Sequence, residues 1–251
     1  MNASQLDLSS NELCGLDRRG RGTYTAEGIT AIANALRVNG VLTKVSLAKN
    51  QLGEEGTKAI CEALEQNKTL KELEISGEMF EKSNIGGTAG VKHVAKLLGV
   101  NGGLTALDLS SNRLKDEGVS AVCEAIQSNK ETKLASLNFK DNGIGPVGSK
   151  SVAAMVAVTG SLTKIDVSWN IFGPEGAKVF ADALRVNGGL TKMSLAHTDL
   201  EEGTKAICEA LKQNKTLKEL DLSGYKNIGG EAGAKHVADM LGVNNALTNI
   251  S

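Results

Sequence analysis

Leu104-Thr105-Ala106-Leu107-Asp108-Leu109-Ser110-Ser111-Asn112-Arg113-Leu114 is the stretch that decides the fold. Its spacing, Leu-x-x-Leu-x-Leu-x-x-Asn-x-Leu, returns along the whole chain. It recurs at Leu42-Val45-Leu47-Asn50-Leu52 and at Leu134-Leu137-Phe139-Asn142-Ile144. Leu162-Ile165-Val167-Asn170 follows it, as does Leu190-Met193-Leu195, where Thr198 stands in the Asn position. Leu70-Leu73-Ile75 and Leu217-Leu220-Leu222 start the same way, with Asn84 and Asn227 displaced by inserted residues. A first copy opens at Leu6, and a ninth begins at Leu247 and Ile250 before the chain stops. The starts at 42, 70, 104, 134, 162, 190, 217 and 247 are 28, 34, 30, 28, 28, 27 and 30 residues apart. A fixed period in this range marks a stacked array of small units.

Between the strand motifs lies a second recurring segment. Gly56-Thr57-Lys58-Ala59-Ile60-Cys61-Glu62-Ala63-Leu64 places Ala59, Ile60, Ala63 and Leu64 on one helical face. Gly118–Ile126, Gly176–Leu184 and Gly203–Leu211 repeat it. Each unit therefore predicts one short strand followed by a helix of about three turns. One such unit cannot bury its own apolar edge, but stacked units form a continuous core beneath a parallel sheet. Strands stack at ~4.8 Å while helices need ~8–10 Å. The helix side is thus the longer one, and the stack bends into a horseshoe with the sheet on its inner face. The repeated Asn is suited to satisfying turn backbone groups that lack ladder partners. Thr198 does this only in part, so a local irregularity is expected there.

A longer period is superimposed. Residues 56–75 and 203–222 agree at 17 of 20 positions, 84–105 and 227–248 at 16 of 22, and 35–48 and 183–196 at 12 of 14. The shift spans five repeats and reads as block duplication. Repeat arrays usually carry polar caps, whereas this chain starts and stops inside strand motifs. The reading is a single repeat domain over 1–251, a fragment of a longer array, with end-to-end self-association through uncapped ends as a further expectation.

Composition sets the bounds on function. The 251 residues are 41% hydrophobic and 23% charged with a net charge of −1, a globular composition. Aromatics are only 3%, so the core is aliphatic, and two prolines against 29 glycines leave turns to Gly and Asn. The near-neutral balance argues against a nucleic-acid partner. No stretch approaches the ~20 apolar residues of a membrane span, and Met1–Ser10 lacks a signal-peptide pattern. No membrane partner is expected. Cys61, Cys123 and Cys208 occupy near-identical helix contexts and Cys14 stands apart, which reads as four reduced cysteines and a cytoplasmic protein.

The strand motif joined to the Gly-x-x-x-[Ile/Val]-[Cys/Ala]-x-Ala-[Leu/Ile] helix resembles ribonuclease-inhibitor-like leucine-rich repeats. Ribonuclease inhibitor, the repeat domains of NOD-like receptors and the Ran GTPase-activating protein share that class. The resemblance covers nearly the whole chain and implies an α/β leucine-rich repeat solenoid of about eight repeats plus a truncated ninth. It implies protein binding, without choosing a partner.

Strand alternation assigns the partner surface. The row between the second and third apolar positions reads Asp7, Ser46, Glu74, Asp108, Asn138, Asp166, Ser194 and Asp221, with five acids and no base. The row just before the Asn contains Asp141, Trp169 and His197. Trp169 is the sole tryptophan, at a solvent-facing position, and Trp is enriched among interface anchors. The expected contact patch is Lys164, Asp166, Trp169, Lys192, Ser194 and His197, extended by Asp108, Asp141 and Asp221. The plainer alternatives are a Trp169 ring that merely packs over the next turn and an acidic row that is simply solvated. Two inserts, Leu16–Gly22 with Arg18, Arg19 and Arg21, and Glu78–Ser83, lengthen the regular repeat. His93 and His236 recur in equivalent helix sites and read as structural.

No P-loop, HExxH or GxSxG motif occurs, and the Asn84-Ile85-Gly86-Gly87 turn recurs at Asn227–Gly230, so it is a repeat turn and not a phosphate cradle. The three histidines lie on different repeats without metal-ligand spacing. No enzyme activity, metal or cofactor is expected. The leading reading is a module that binds a protein on its concave face. The alternatives are a regulator of a small GTPase, with Arg113 or Asn142 on the rim reaching the partner, and a sensing segment of a larger NOD-like-receptor-type protein.

Overall fold

The computed structural model describes residues 4–17, 19–79 and 81–251. Arg18 of the basic insert and Phe80 of the second insert lie outside the described residues. Among the described residues, nine three-residue or shorter strands alternate with eight α-helices. The strands are β1 (Gln5–Asp7), β2 (Lys44–Ser46), β3 (Glu72–Glu74), β4 (Ala106–Asp108), β5 (Ser136–Asn138), β6 (Lys164–Asp166), β7 (Lys192–Ser194), β8 (Glu219–Asp221) and β9 (Asn249–Ile250). They form one parallel sheet in sequence order. Equivalent residues pair without stagger, as Leu107↔Leu137 and Leu137↔Ile165 illustrate. The helices are α1 (Glu27–Val38), α2 (Gly53–Gln66), α3 (Gly87–Val100), α4 (Lys115–Ser128), α5 (Pro146–Val158), α6 (Gly173–Val186), α7 (Thr204–Leu211) and α8 (Gly230–Leu241). Most run 12–14 residues, nearer four turns than the three expected. Each element packs only on its sequence neighbours, the one-dimensional arrangement of a solenoid.

One apolar cluster fills the space between sheet and helices from Cys14 to Met240. Its large members are aliphatic apart from Phe139, Phe172 and Phe180. The recurring helix glycine has a steric cause. A Cβ on Gly118 would lie 2.9 Å from Val91 Cγ1 of the preceding helix, and one on Gly203 would lie 2.4 Å from Ala177 Cβ. Glycine is what lets successive helix starts approach.

Two asparagine ladders run along the stack, each linking one repeat to the next. In the first, Asn142 is 1% exposed. Its Nδ2 donates to the carbonyls of Phe139 (3.0 Å), Lys140 (3.2 Å) and, one repeat back, Leu109 (3.0 Å). Its Oδ1 accepts the N–H of Asn112 at 2.9 Å. Asn50, Asn112 and Asn170 work in the same way. The expectation that Asn142 is a rim residue able to reach a GTPase partner is therefore corrected, because its amide is buried and fully used.

The second ladder uses the asparagine that follows every helix except α5, where Thr159 stands instead. Asn67 Nδ2 donates to Leu36 O (2.7 Å) and Asn39 O (3.1 Å), while its Oδ1 receives the N–H groups of Thr69 and Leu70. Asn101, Asn129, Asn187, Asn214 and Asn244 repeat the contact to the previous helix's terminal carbonyls.

Thr198 produces the expected irregularity. Its Oγ1 donates to Leu195 O at 2.6 Å, replacing one amide bond. It offers no amide oxygen to the preceding repeat, so Phe172 N–H turns to the Thr198 main-chain carbonyl at 3.1 Å. A short 3₁₀ turn, Glu201–Gly203, precedes a shortened α7. That second feature has a separate cause. Leu200–Gly203 holds one residue fewer than Leu52–Gly56, so the helix start is wound tighter.

All four cysteines are buried and free. Burial pushes the thiols of Cys14 and Cys208 up to about 11, and those of Cys61 and Cys123 further in the same direction. Only the thiolate is reactive, so a thiol reagent at pH 8 is expected to label none of them in the folded chain and all four after denaturation. Stoichiometric labelling of the native chain within minutes would contradict the burial.

Candidate functional site: the inner face

Residues from β2 to β7 line a shallow groove of about 320 Å³ on the inner face of the sheet. The alternation places Leu73, Leu107, Leu137 and Ile165 beneath it and polar side chains around it. Lys164, Asp166, Lys192, Ser194 and Asp108 of the expected patch all line this groove. Trp169, His197 and Asp141 sit elsewhere, on the turns that follow the strands. The patch is thus two adjoining regions, a charged groove and an aromatic rim. Asp221 joins them: its carboxylate accepts Ser194 Oγ at 3.2 Å and lies close enough to His197 to feel its charge.

The charges in the groove are not equivalent. Lys192 is paired with Glu219 across β7 and β8 at 2.7 Å, and that hydrogen bond raises the Lys192 pKa and lowers that of Glu219. Lys44 is held by Glu72 at 3.1 Å and is raised for the same reason. Lys164, exposed between Ser136 and Lys192 in the paired row, has no ion-pair partner among the described residues.

The acidic row has a structural task that strand alternation alone did not reveal. Asp7, Asp108, Asp166 and Asp221 each accept the backbone N–H of the serine two residues on, at 2.8–2.9 Å. The Asp-x-Ser spacing recurs four times in the sequence and carries this signal. For Asp221, partial burial raises the pKa, but the bonds from Ser223 and Ser194 and the nearby His197 outweigh it, and the net shift is downward. These carboxylates end strands, and those of Asp108 and Asp166 line the groove. The second oxygen is used further in two of the four: Asp108 Oδ2 accepts Asn138 Nδ2 at 2.8 Å and Asp221 Oδ2 accepts Ser194 Oγ.

Trp169 occupies a backbone position with φ +58°, shared by Ser10, Lys49, Ser111, Asp141 and His197 in other repeats. This left-handed region is costly for a bulky side chain. The ring stacks on His197 of the next repeat, with centroids 4.0 Å apart and planes 23° from parallel. His197 lies against Gly224, where a Cβ would come within 3.0 Å of the imidazole Cγ. Trp169 therefore packs on the neighbouring turn and still keeps 42% of its surface exposed. Tyr225, 82% exposed and beside Lys226 Nζ at 5.3 Å from its ring centroid, lies on the next repeat's turn. Of the described aromatics, only Trp169 and Tyr225 are exposed. Tyr225 went unread in the sequence because it lies in the residues inserted before Asn227.

The first insert is a tight loop. Leu16 and Gly22 form an isolated bridge, and Asp17 accepts the N–H groups of Arg19 and Arg21 and pairs with the Arg21 guanidinium at 2.7 Å. Its basic charge is partly answered from within. Among the described residues, no group of three or more His, Cys, Asp or Glu is placed to hold a metal ion.

Fold and inner face together define a curved solenoid of leucine-rich repeats. A Leucine Rich repeat family pattern matches residues 38–61, 104–123 and 161–181. The chain is similar to ribonuclease inhibitor of Sus scrofa, 34% identical over 146 residues, covering 58% of this chain and 31% of that protein. It is also similar to NACHT, LRR and PYD domains-containing protein 9 of Bos taurus, 34% identical over 131 residues, covering 51% of this chain and 13% of the relative. The chain thus spans less than a third of the length of either. Among solved structures, the actin-binding site 2 of leiomodin-1 superposes with a TM-score of 0.51 at 16% identity, covering 62% of this chain and 88% of that one. That likeness concerns fold alone. The chain's repeats are leucine-rich repeats of the ribonuclease-inhibitor-like kind.

Proposed function

We propose that this chain is a binding module, not a catalyst, and that it holds a partner protein on its inner face. The observation that carries this reading is Trp169: a large aromatic kept at a left-handed backbone position, half-exposed, beside a groove lined by Asp108, Asp166 and Lys164, which has no ion-pair partner among the described residues. Trp anchors surrounded by polar groups are the usual energetic centre of protein interfaces. Ribonuclease inhibitor, a relative whose name declares a protein target, supports the same direction. The anchor is Trp169 stacked on His197, and Lys164, Asp166 and Ser194 supply the polar surround.

The test is affinity capture from a lysate of the source cells with the wild-type chain and a Trp169→Ala, Asp166→Lys variant. Proteins enriched by the wild type and lost with the variant are the expected result. The same set captured by both would overturn the inner-face reading. A second reading, a recognition segment of a larger receptor, is favoured by the matches to NACHT, LRR and PYD proteins, of which this chain spans only 9–17%. Sequencing the full reading frame decides it: a flanking NTP-binding domain supports it.

A further inference from the structure

The near-neutral total charge conceals a segregation. All helix ends and strand starts lie on one edge of the solenoid, because helices run antiparallel to a sheet whose strands pair without stagger. The stretches from two residues before each helix-ending Asn (Thr159 in the fifth repeat) to the first strand residue hold twelve Lys and Arg against four Glu. The whole chain is at −1, so this edge is strongly basic and the rest is acidic.

The basic residues are not scattered. Repeats two, four and seven each carry a lysine pair just after the Asn: Lys68 and Lys71, Lys130 and Lys133, Lys215 and Lys218. None of the six makes an ion pair with a described carboxylate. The other five repeats carry instead a valine just before the Asn or its Thr159 counterpart. Val38, Val100, Val158, Val186 and Val243 are 84%, 58%, 70%, 69% and 52% exposed. Where a lysine pair follows, the same position is Gln66, Ser128 or Gln213. Each of the eight repeats thus presents either an exposed valine or a lysine pair at one level. Cations at helix C-termini are favoured by the helix dipole, but the dipole gives no reason for exposed valines among them.

We propose that this edge docks on an anionic lipid surface, with the lysine pairs meeting headgroup phosphates and the valines entering the interfacial layer. Clustered lysines near a surface bind anionic lipid, and apolar residues interleaved with them deepen the contact. An edge without stagger suits an extended flat partner better than a single peptide, for which it offers no groove. A nucleic acid would find no aromatic platform here. No helix of the described residues can cross a membrane, so the contact is peripheral.

The experiment is co-sedimentation of the 251-residue chain with phosphatidylcholine vesicles with and without phosphatidylserine. The wild type is expected to bind only the anionic vesicles and to be released by high salt. A Lys68→Glu, Lys130→Glu, Lys215→Glu variant is expected to lose at least about tenfold in partitioning, and a Val100→Ser, Val158→Ser, Val186→Ser variant to lose several-fold with unchanged melting temperature. A Val147→Ser variant, altered at an exposed valine near the start of α5 on the opposite edge, is expected to bind vesicles like the wild type. Failure of the wild type to bind anionic vesicles overturns the proposal. So does unchanged binding by the lysine or valine variant, and so does capture by soluble polyglutamate that abolishes vesicle binding by the wild type while the valine variant behaves as wild type.

Discussion

Asn142→Ala is expected to cost about 3–5 kcal/mol, a loss at the upper end of point mutations. The side chain makes three donor bonds and accepts two, from Asn112 and Leu114, all in a site 1% exposed. Alanine leaves these main-chain groups buried without partners, at about 1–3 kcal/mol for each that finds none. Some relax onto neighbours, which keeps the total below the sum. For a chain of this length the melting temperature falls by about 10 °C. The natural irregularity supplies the reverse case. Thr198→Asn restores the missing amide oxygen to the sixth repeat, and a gain of about 1 kcal/mol is expected, the worth of one hydrogen bond. Thermal or urea unfolding of both variants checks the pair. An Asn142→Ala variant as stable as the wild type would contradict the ladder's role.

The second large effect is functional. Trp169→Gly is expected to weaken partner binding by about thirtyfold or more, the scale of an interface hot spot. The same change is expected to leave the fold as stable as before or slightly more so, because glycine adopts a φ of +58° without the penalty that tryptophan bears. Loss of binding together with unchanged or raised stability separates a contact residue from a packing residue. If binding holds while stability falls by more than about 1 kcal/mol, the ring is a structural lid on His197 and nothing more.

The sequence disclosed the array because period and apolar spacing are one-dimensional signals. Leu107, Leu137 and Ile165 pair in the register their spacing implies. The inner-face rows were equally legible, since strand alternation fixes which side chains face out. Other features were present but unread: the helix-ending asparagines at 67, 101, 129, 187, 214 and 244, and the Asp-x-Ser turns. The asparagines recur in nearly every repeat and the Asp-x-Ser turns in four, and both satisfy backbone groups that the strand motif alone does not account for. The division of the patch into groove and rim was not legible. Asp166 and Trp169 are three residues apart, but the chain turns through a left-handed residue between strand and helix. Side-chain direction there follows from backbone dihedrals, which spacing does not encode. The basic edge escaped because net charge is a sum over the chain, and the segregation exists only once the helix ends are stacked.

The sole tryptophan makes the central claim directly measurable. Incorporated as 5-fluorotryptophan, Trp169 gives a single ¹⁹F resonance, to be followed while a captured partner is titrated in. The expected result is a saturable shift or broadening of that resonance, with the same midpoint as binding. A partner that binds to saturation while the resonance stays unchanged in position and width would contradict an inner-face anchor at Trp169.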